Sequence, residues 1–247
     1  MRFISTTIAA AAALPLLATA CSAAPSAGTP TSASSTSASS TPASSAPASS
    51  AAPANPDAGL LTGTQLKAAL QPAATFPDGF TLDPGGSVDT GGTFEQASPS
   101  TGVTACTRLD STDWVDLAGP VAVSFAENDY IDRSTSEQFA QEVDAYPGTG
   151  AQAVMAGLRK VPVRCPTFPN AQTSSTVTVK LVPGPALGDD ALTIILSSPR
   201  WRGDIALEAV RVGTSVVTVL HSATSGTGVA MATALAGAIT AKVKSTS

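Results

Sequence analysis

The sequence predicts an α+β fold: a twisted antiparallel sheet of about five strands covered by helices, with one disulfide. Two patterns carry that expectation. From residue 174 onward four runs, TVTVKLV, ALTIILSS, DIALEAVRV and TSVVTVLHS, are rich in β-branched residues and alternate with a period of two. The turn-forming stretches PGPALGDD, PRWRG and Gly213 separate them, as in an antiparallel meander. After them Val229, Ala232, Leu235, Ala236, Ile239 and Val243 recur at helical spacing, placing an amphipathic helix over 227–243 against the sheet. Helices first, then consecutive strands, then a closing helix is the element order of an antiparallel sheet with helices packed on it.

The segments before residue 57 read as something other than fold. Residues 1–20 carry one charge, Arg2, then the uncharged run IAAAAALPLLATA that ends at Cys21. A charged start, a short apolar middle and small residues before the cut form the layout of a secretory signal peptide. The run is too rich in Ala and Thr for a spanning helix, which needs about 20 strongly apolar residues. Leu17-Ala18-Thr19-Ala20-Cys21 resembles the lipobox of bacterial lipoproteins, with Ala18 where leucine usually stands. That resemblance implies cleavage before Cys21 and diacylation, palmitate included, of its thiol. Two acyl chains suffice for stable membrane attachment. An ordinary cleavable signal with an incidental cysteine is the alternative.

Residues 22–56 hold no charge, no aromatic and no large aliphatic side chain, so they have little apolar surface with which to offset ordering entropy. They are expected to form a disordered Ser/Ala/Thr/Pro tether. It would span about 35 Å as a flexible coil and about 100 Å in a polyproline conformation. The TPTS and STPASSAP stretches also suit O-glycosylation, though an unmodified spacer fits as well. The domain proper is expected over 57–247, and every acidic residue lies in it. Without Arg2, 12 basic residues stand against 18 acidic ones, a formal charge of −6. That balance argues against nucleic acid as a partner and against electrostatic adhesion to anionic lipid.

Within the domain, Thr62 and Gln65 form a capping box for a short helix with Leu66 and Leu70 on one face. Residues 77–100 are turn-rich, with one short extended piece. ACTRLDSTDWVDLAG, from Ala105, is expected to be a short helix carrying Cys106 and Trp114. VAVSFAEN, 121–128, alternates as a half-buried strand, and Glu127, Asp129 and Asp132 in AENDYID read as a solvated turn. Ser134-Thr135-Ser136-Glu137 matches a second capping box, opening a helix with Phe139 and Val143 at i, i+4. Pro147-Gly148 stops it, a helix over 150–160 follows, and three prolines make VPVRCPTFP irregular around Cys165.

With Cys21 assigned to the lipid, Cys106 and Cys165 remain. An exported, oxidising location favours a disulfide between them, with two buried free thiols as the alternative. The lone histidine, His221, leaves out HExxH and multi-histidine zinc sites, and reads as a structural or surface residue. No G-x-S-x-G elbow or Walker A sequence occurs. GTGVAM at 226–231 has Met231 in its third glycine position and leaves no room for a parallel strand. No catalytic residue, metal or cofactor is therefore expected. Arg202-Gly203-Asp204 spells an adhesion tripeptide, read as coincidence. Arg200-Trp201-Arg202 at a hairpin tip is either a snorkelling edge on the sheet or an exposed recognition element.

The segments TACTRL, VRCPTF, LGDDAL and RVGTSVVTV, before the final amphipathic helix, resemble the extracellular sensor domain of mycobacterial serine/threonine kinase H and actinobacterial lipoproteins with related domains. The resemblance covers most of 60–243. It implies a twisted antiparallel sheet, disulfide-linked helices and a cleft for an extracellular ligand. Some members have two disulfides, whereas this chain can form one after lipidation. With no kinase portion present, signalling would need a partner. The expectation is thus a lipid-anchored, non-catalytic ligand-binding or sensor-like domain at the outer face of the cytoplasmic membrane. Its ligand would be a small molecule, glycan or lipid, met in a cleft edged by Trp114 or by Arg200, Trp201 and Arg202, with an envelope protein as a further possible partner. A carrier or chaperone of an apolar envelope molecule is the alternative, and a cell-envelope enzyme is a third. A closed apolar cavity would favour the carrier and an open polar cleft the sensor.

Overall fold

The computed structural model describes residues 59–95 and 105–247. The expected signal peptide, Cys21 and the tether lie outside the described residues. Eight strands form one antiparallel sheet in the order β1-β2-β3-β8-β7-β6-β5-β4. They are β1 (Phe80–Asp89), β2 (Ser124–Asp132), β3 (Glu137–Ala145), β4 (Thr167–Asn170), β5 (Ser175–Pro183), β6 (Asp190–Ser197), β7 (Ile205–Val212) and β8 (Ser215–Ser222). The helices are α1 (Gly63–Ala69), α2 (Gly150–Leu158), α3 (Val161–Arg164) and α4 (Val229–Thr246), with 3-10 turns at Ala73–Thr75, Cys106–Asp110 and Trp114–Ala118. No described helix is long and apolar enough to cross a membrane.

The expected meander is β5 to β8, four adjacent strands, and the expected closing helix is α4. The count of about five strands is corrected to eight, because β1, β3 and β4 come from segments read otherwise. The segment after Ser134 is a strand and not a helix. Phe139 and Val143 share a face at a separation of four in either conformation, and Gln141 and Ala145 continue that face with a period of two. Asp132 decides the outcome locally: its Oδ1 accepts from the backbone N–H and the hydroxyl of Ser134, at 2.8 and 2.7 Å. Those bonds close a β2–β3 hairpin where the sequence suggested a helix cap. AENDYID lies within β2, paired with β3 on one side and β1 on the other, and is not a solvated turn.

β1 carries Pro84-Gly85-Gly86 inside it, which is why its segment read as turns. Between the pairs Leu82↔Tyr130 and Ser87↔Asn128 the register shifts, so residues 83–86 bulge opposite Asp129. A Cβ on Gly86 would stand 2.4 Å from the Asp129 Cβ, so only glycine lets the bulge close over that side chain. The expected helix from Ala105 is two 3-10 turns. The proline-rich stretch around Cys165 is ordered as α3 and β4, with Pro162 in the first turn of α3, where its missing N–H costs nothing.

Both faces of the sheet are covered. α4 and α1 pack on one face, burying Leu66, Phe139, Val143, Val210, Val217, Ala236 and Ile239. α2 and the 3-10 turns at 106–110 and 114–118 cover the other, burying Trp114, Met155, Leu158, Ile194, Leu207 and Val216. The central strands are consequently buried on both sides, with all of 205–210 and 215–221 inaccessible. Lys242 of α4 donates to the Leu70 carbonyl at 3.2 Å, tying α4 to the end of α1.

One strip of this interior is acidic. Glu127 of β2 stands directly opposite Glu142 of β3, and Asp129 and Asp144 lie two residues along on the same face. Asp144 is 4% exposed and Asp129 7%. One oxygen of each of these four carboxyls has no hydrogen-bond partner among the described residues. Burial, then the Glu127 charge and hydrogen bond and the Asp83 charge, pushes Asp129 up to about 8. Burial and the Asp116 and Glu127 charges outweigh a Glu142 hydrogen bond and push Asp144 up to about 8. Burial and the charges of Asp144, Glu127 and Asp116 raise Glu142 well above the carboxylate range. Among the described residues no arginine or lysine pairs with these four carboxyls; Arg108 donates instead to the neighbouring Asp116 at 2.9 Å.

A carboxyl whose folded pKa exceeds its unfolded one keeps its proton after the unfolded chain has lost it, so folding stability falls as pH rises between the two values. The melting temperature is expected to fall from pH 5 to pH 8. Asp144→Asn should flatten that fall and raise the melting point at pH 8. A melting point flat or rising over that range in calorimetry contradicts this reading of the strip.

Candidate functional site

An antiparallel sheet brings alternate connections to one end. Here the β2–β3, β4–β5 and β6–β7 turns and the segment leaving β8 meet at the same end as the 3-10 turn at Cys106–Asp110. Together they frame an open cleft of about 280 Å³. Arg200, Trp201 and Arg202 form one wall, Asp110 and Asn170 a second, and Thr135 and Thr224 border the third side.

Trp201 is half-buried, packed on the α2-side core, so its ring is held while part of it faces the cleft. Arg200 and Arg202 are exposed. Among the described residues, the arginines in ion pairs are Arg108, Arg159 and Arg211, which leaves both cleft arginines unpaired. A Cβ on Gly203 would stand 2.5 Å from the Ala223 carbonyl oxygen and 2.8 Å from the Ser225 nitrogen. That close approach lets the β6–β7 turn lie against the chain leaving β8, where Asp204 N–H donates to Gly226 at 3.0 Å.

The cleft wall is braced by a directional chain of hydrogen bonds. Asn170 Nδ2 donates to Asp110 Oδ2 at 2.8 Å, and Thr173 Oγ1 donates to Asn170 Oδ1 at 2.9 Å. Thr173 Oγ1 lies 2.7 Å from Ser175 Oγ, which lies 2.7 Å from Ser198 Oγ. A hydroxyl has one proton to give. Because Thr173 gives its own to Asn170, Ser175 donates to Thr173 and Ser198 donates to Ser175. Arg200 N–H then closes the row on Ser198 Oγ at 3.4 Å. All these bonds point toward Asp110, whose carboxyl burial raises while the Asn170 bond lowers it, the rise prevailing.

The Cys106–Cys165 disulfide, with Cα atoms 5.5 Å apart, ties the Cys106–Asp110 turn to the residues entering β4. It sits at the root of this row, one turn before Asp110 and five residues before Asn170. In the chain-entropy account a loop of this length is worth about 4 kcal/mol.

Opposite that wall, His221 is 1% exposed and stacked on Phe139 at a centroid distance of 3.9 Å. Its Nδ1 faces the Gly228 carbonyl at 3.0 Å, which can only accept, so Nδ1 carries a proton. Its Nε2 lies 2.7 Å from Glu137 Oε1, and Thr224 Oγ1 donates to the other Glu137 oxygen at 3.2 Å. With both ring nitrogens engaged, His221 clamps β3 to the loop before α4, and neither nitrogen faces the Thr224 hydroxyl.

Of the residues singled out in the sequence, Arg200, Trp201 and Arg202 line the cleft. Trp114 does not: it is 1% exposed in the core, and offers no edge to a ligand. Cys21 lies outside the described residues. Asp110, Asn170, Thr135 and Thr224 were not anticipated, because only strand order brings them together. An apolar pocket of about 160 Å³ lies between the Ala73–Thr75 turn and α4, lined by Phe76, Phe139, Met231 and Leu235. Larger shallow hollows, of about 400 Å³ between α2 and the Trp114–Ala118 turn and about 340 Å³ at the β5–β6 turn, gather none of the residues singled out in the sequence.

Asn170→Ala removes the donor to Asp110 and the acceptor for Thr173 at once, and should cost about 1–3 kcal/mol in urea unfolding. Asn170→Asp should cost more, since it faces Asp110 with a second carboxyl. A loss within error for both variants would show that the row does not brace the wall.

No family model and no curated protein matches the chain. Among solved structures the fold is similar to the crystal structure of the extracellular domain of PknH from Mycobacterium tuberculosis. That similarity has a TM-score of 0.53 and 15% identity, and covers 75% of this chain and 98% of that one. The fold implied by the sequence resemblance is therefore the fold the chain has.

Proposed function

We propose that the chain is a non-catalytic, sensor-like ligand-binding domain, tethered by a diacylated Cys21 to the outer face of the cytoplasmic membrane. Its ligand site is the cleft beside Arg200-Trp201-Arg202. The observation that carries this reading is the contrast between the cleft, where Arg200-Trp201-Arg202 stand, and the apolar pocket beside α4. The cleft is open, polar and braced, at about 280 Å³. The apolar pocket, at about 160 Å³, is little more than half that and far below the roughly 300–1,000 Å³ in which proteins enclose drug-sized ligands, whereas the cleft lies just under that range and is open on one side. A carrier of an apolar envelope molecule needs the larger space on the apolar side, so the sensor-like reading is preferred. The shared fold with an extracellular kinase domain supports it, as does the lipobox-like segment at Cys21. The ligand, whether small molecule, glycan or lipid, enters from the exposed side, and an envelope protein would relay occupancy.

Two measurements test this reading. Cys21→Ser should move the chain from the membrane fraction to the soluble one, and retention at the membrane contradicts the anchor. Native mass spectrometry of protein purified from its own membrane should show a bound molecule that Trp201→Ala releases. A ligand still retained by Trp201→Ala but lost on filling the apolar pocket, by Ala238→Phe, would favour the carrier.

A further inference from the structure

We infer that the cleft takes an acidic saccharide, a hydroxyl-rich ring bearing a carboxylate or phosphate; this rests on the cleft being the ligand site. The charge comes first. The chain is acidic overall, at −5, yet this wall carries two guanidiniums one residue apart on either side of an indole, with no ion pair among the described residues. Of the carboxyls nearby, the Asp204 carboxyl makes no ion pair among the described residues, and the two that border the cleft have other partners. Asp110 accepts from Asn170 Nδ2 at 2.8 Å. Glu137 is bonded by both His221 and Thr224. Among the described residues none of these three carboxyls pairs with Arg200 or Arg202, so the cleft presents two free guanidinium forks that match carboxylate or phosphate oxygens.

The remaining surface selects the body of the ligand. The part of the Trp201 indole that lines the cleft is apolar and held by the core beneath it, a surface suited to the C–H groups of a sugar ring. Thr135, Ser136 and Gln172 supply hydroxyl and amide groups that both donate and accept, as a ring of hydroxyls requires. An open cleft of about 280 Å³, just under the usual range of ligand sites, holds about one ring and leaves the rest of an oligosaccharide on its open side.

The chain's two tryptophans make the test direct: Trp114 is buried and constant, whereas Trp201 lines the cleft and reports on it. The full-length chain in detergent is titrated, at fixed ionic strength, with trigalacturonate, glucose 6-phosphate, maltotriose and inorganic phosphate, reading tryptophan emission. At least one of the two acidic sugars should saturate the signal, at least tenfold more tightly than maltotriose or phosphate, and which one saturates identifies carboxylate or phosphate as the group clasped. Arg200→Ala and Arg202→Ala should each weaken that binding about tenfold or more, the loss of one charge-assisted hydrogen bond. Binding of maltotriose as tight as the acidic sugars overturns the inference but leaves the cleft as a ligand site. Phosphate binding as tightly as the sugars overturns the saccharide. If neither acidic sugar changes the emission, the inference fails, while the molecule retained in native mass spectrometry still decides whether the cleft binds anything.

Discussion

The Cys106–Cys165 disulfide is the constraint on which the cleft end of the molecule depends. The 3-10 turn that carries Asp110 has no side-chain cap, and β4, which carries Asn170, is a four-residue edge strand bonded only to β5. Neither is stable by itself, since short elements fix many dihedrals for few hydrogen bonds. The disulfide holds them together and so sets Asp110 against Asn170. From there each hydroxyl orients the next, through Thr173, Ser175 and Ser198, until the turn bearing Trp201 is fixed. A covalent bond outside the cleft thus positions a recognition surface inside it.

The far side of the sheet is organised on a different principle. β7 and β8 are covered on both faces and form the rigid centre, with α4 and α2 as the layers above and below. The acidic strip on β2 and β3 is a local conflict with that packing. Carboxyls set directly opposite one another on neighbouring strands repel when charged, and their burial removes the water that would screen them. Proton retention relieves the conflict, at the cost of linking this half of the sheet to pH. The cleft end has no such conflict, because Asp110 and Glu137 are each met by donors.

What the sequence disclosed follows from how local each signal is. The meander β5 to β8 and the stripe of α4 were legible, because alternation and helical spacing over eight or more residues are local records of burial. The pairing of Cys106 with Cys165 followed once Cys21 was set apart. β3 was misread because a separation of four satisfies both periods and an Asx turn at Asp132 mimics a helix cap. β1 was masked by the Pro-Gly-Gly that makes its bulge. At the cleft, Arg200-Trp201-Arg202 stood out by composition alone. Asp110, Asn170 and Thr224 did not, since ordinary polar residues acquire their meaning only when strand order gathers them. Trp114 read as a recognition residue and is core, because an isolated tryptophan looks the same in both roles.

Hydrogen exchange of the Cys106→Ser/Cys165→Ser double variant against the parent chain tests most directly whether the disulfide positions the cleft. Amides over 167–175 and 198–204 should lose protection in the variant, while those of β7, β8 and α4 keep theirs. Unchanged protection over 198–204, or an equal loss across the whole sheet, would contradict it.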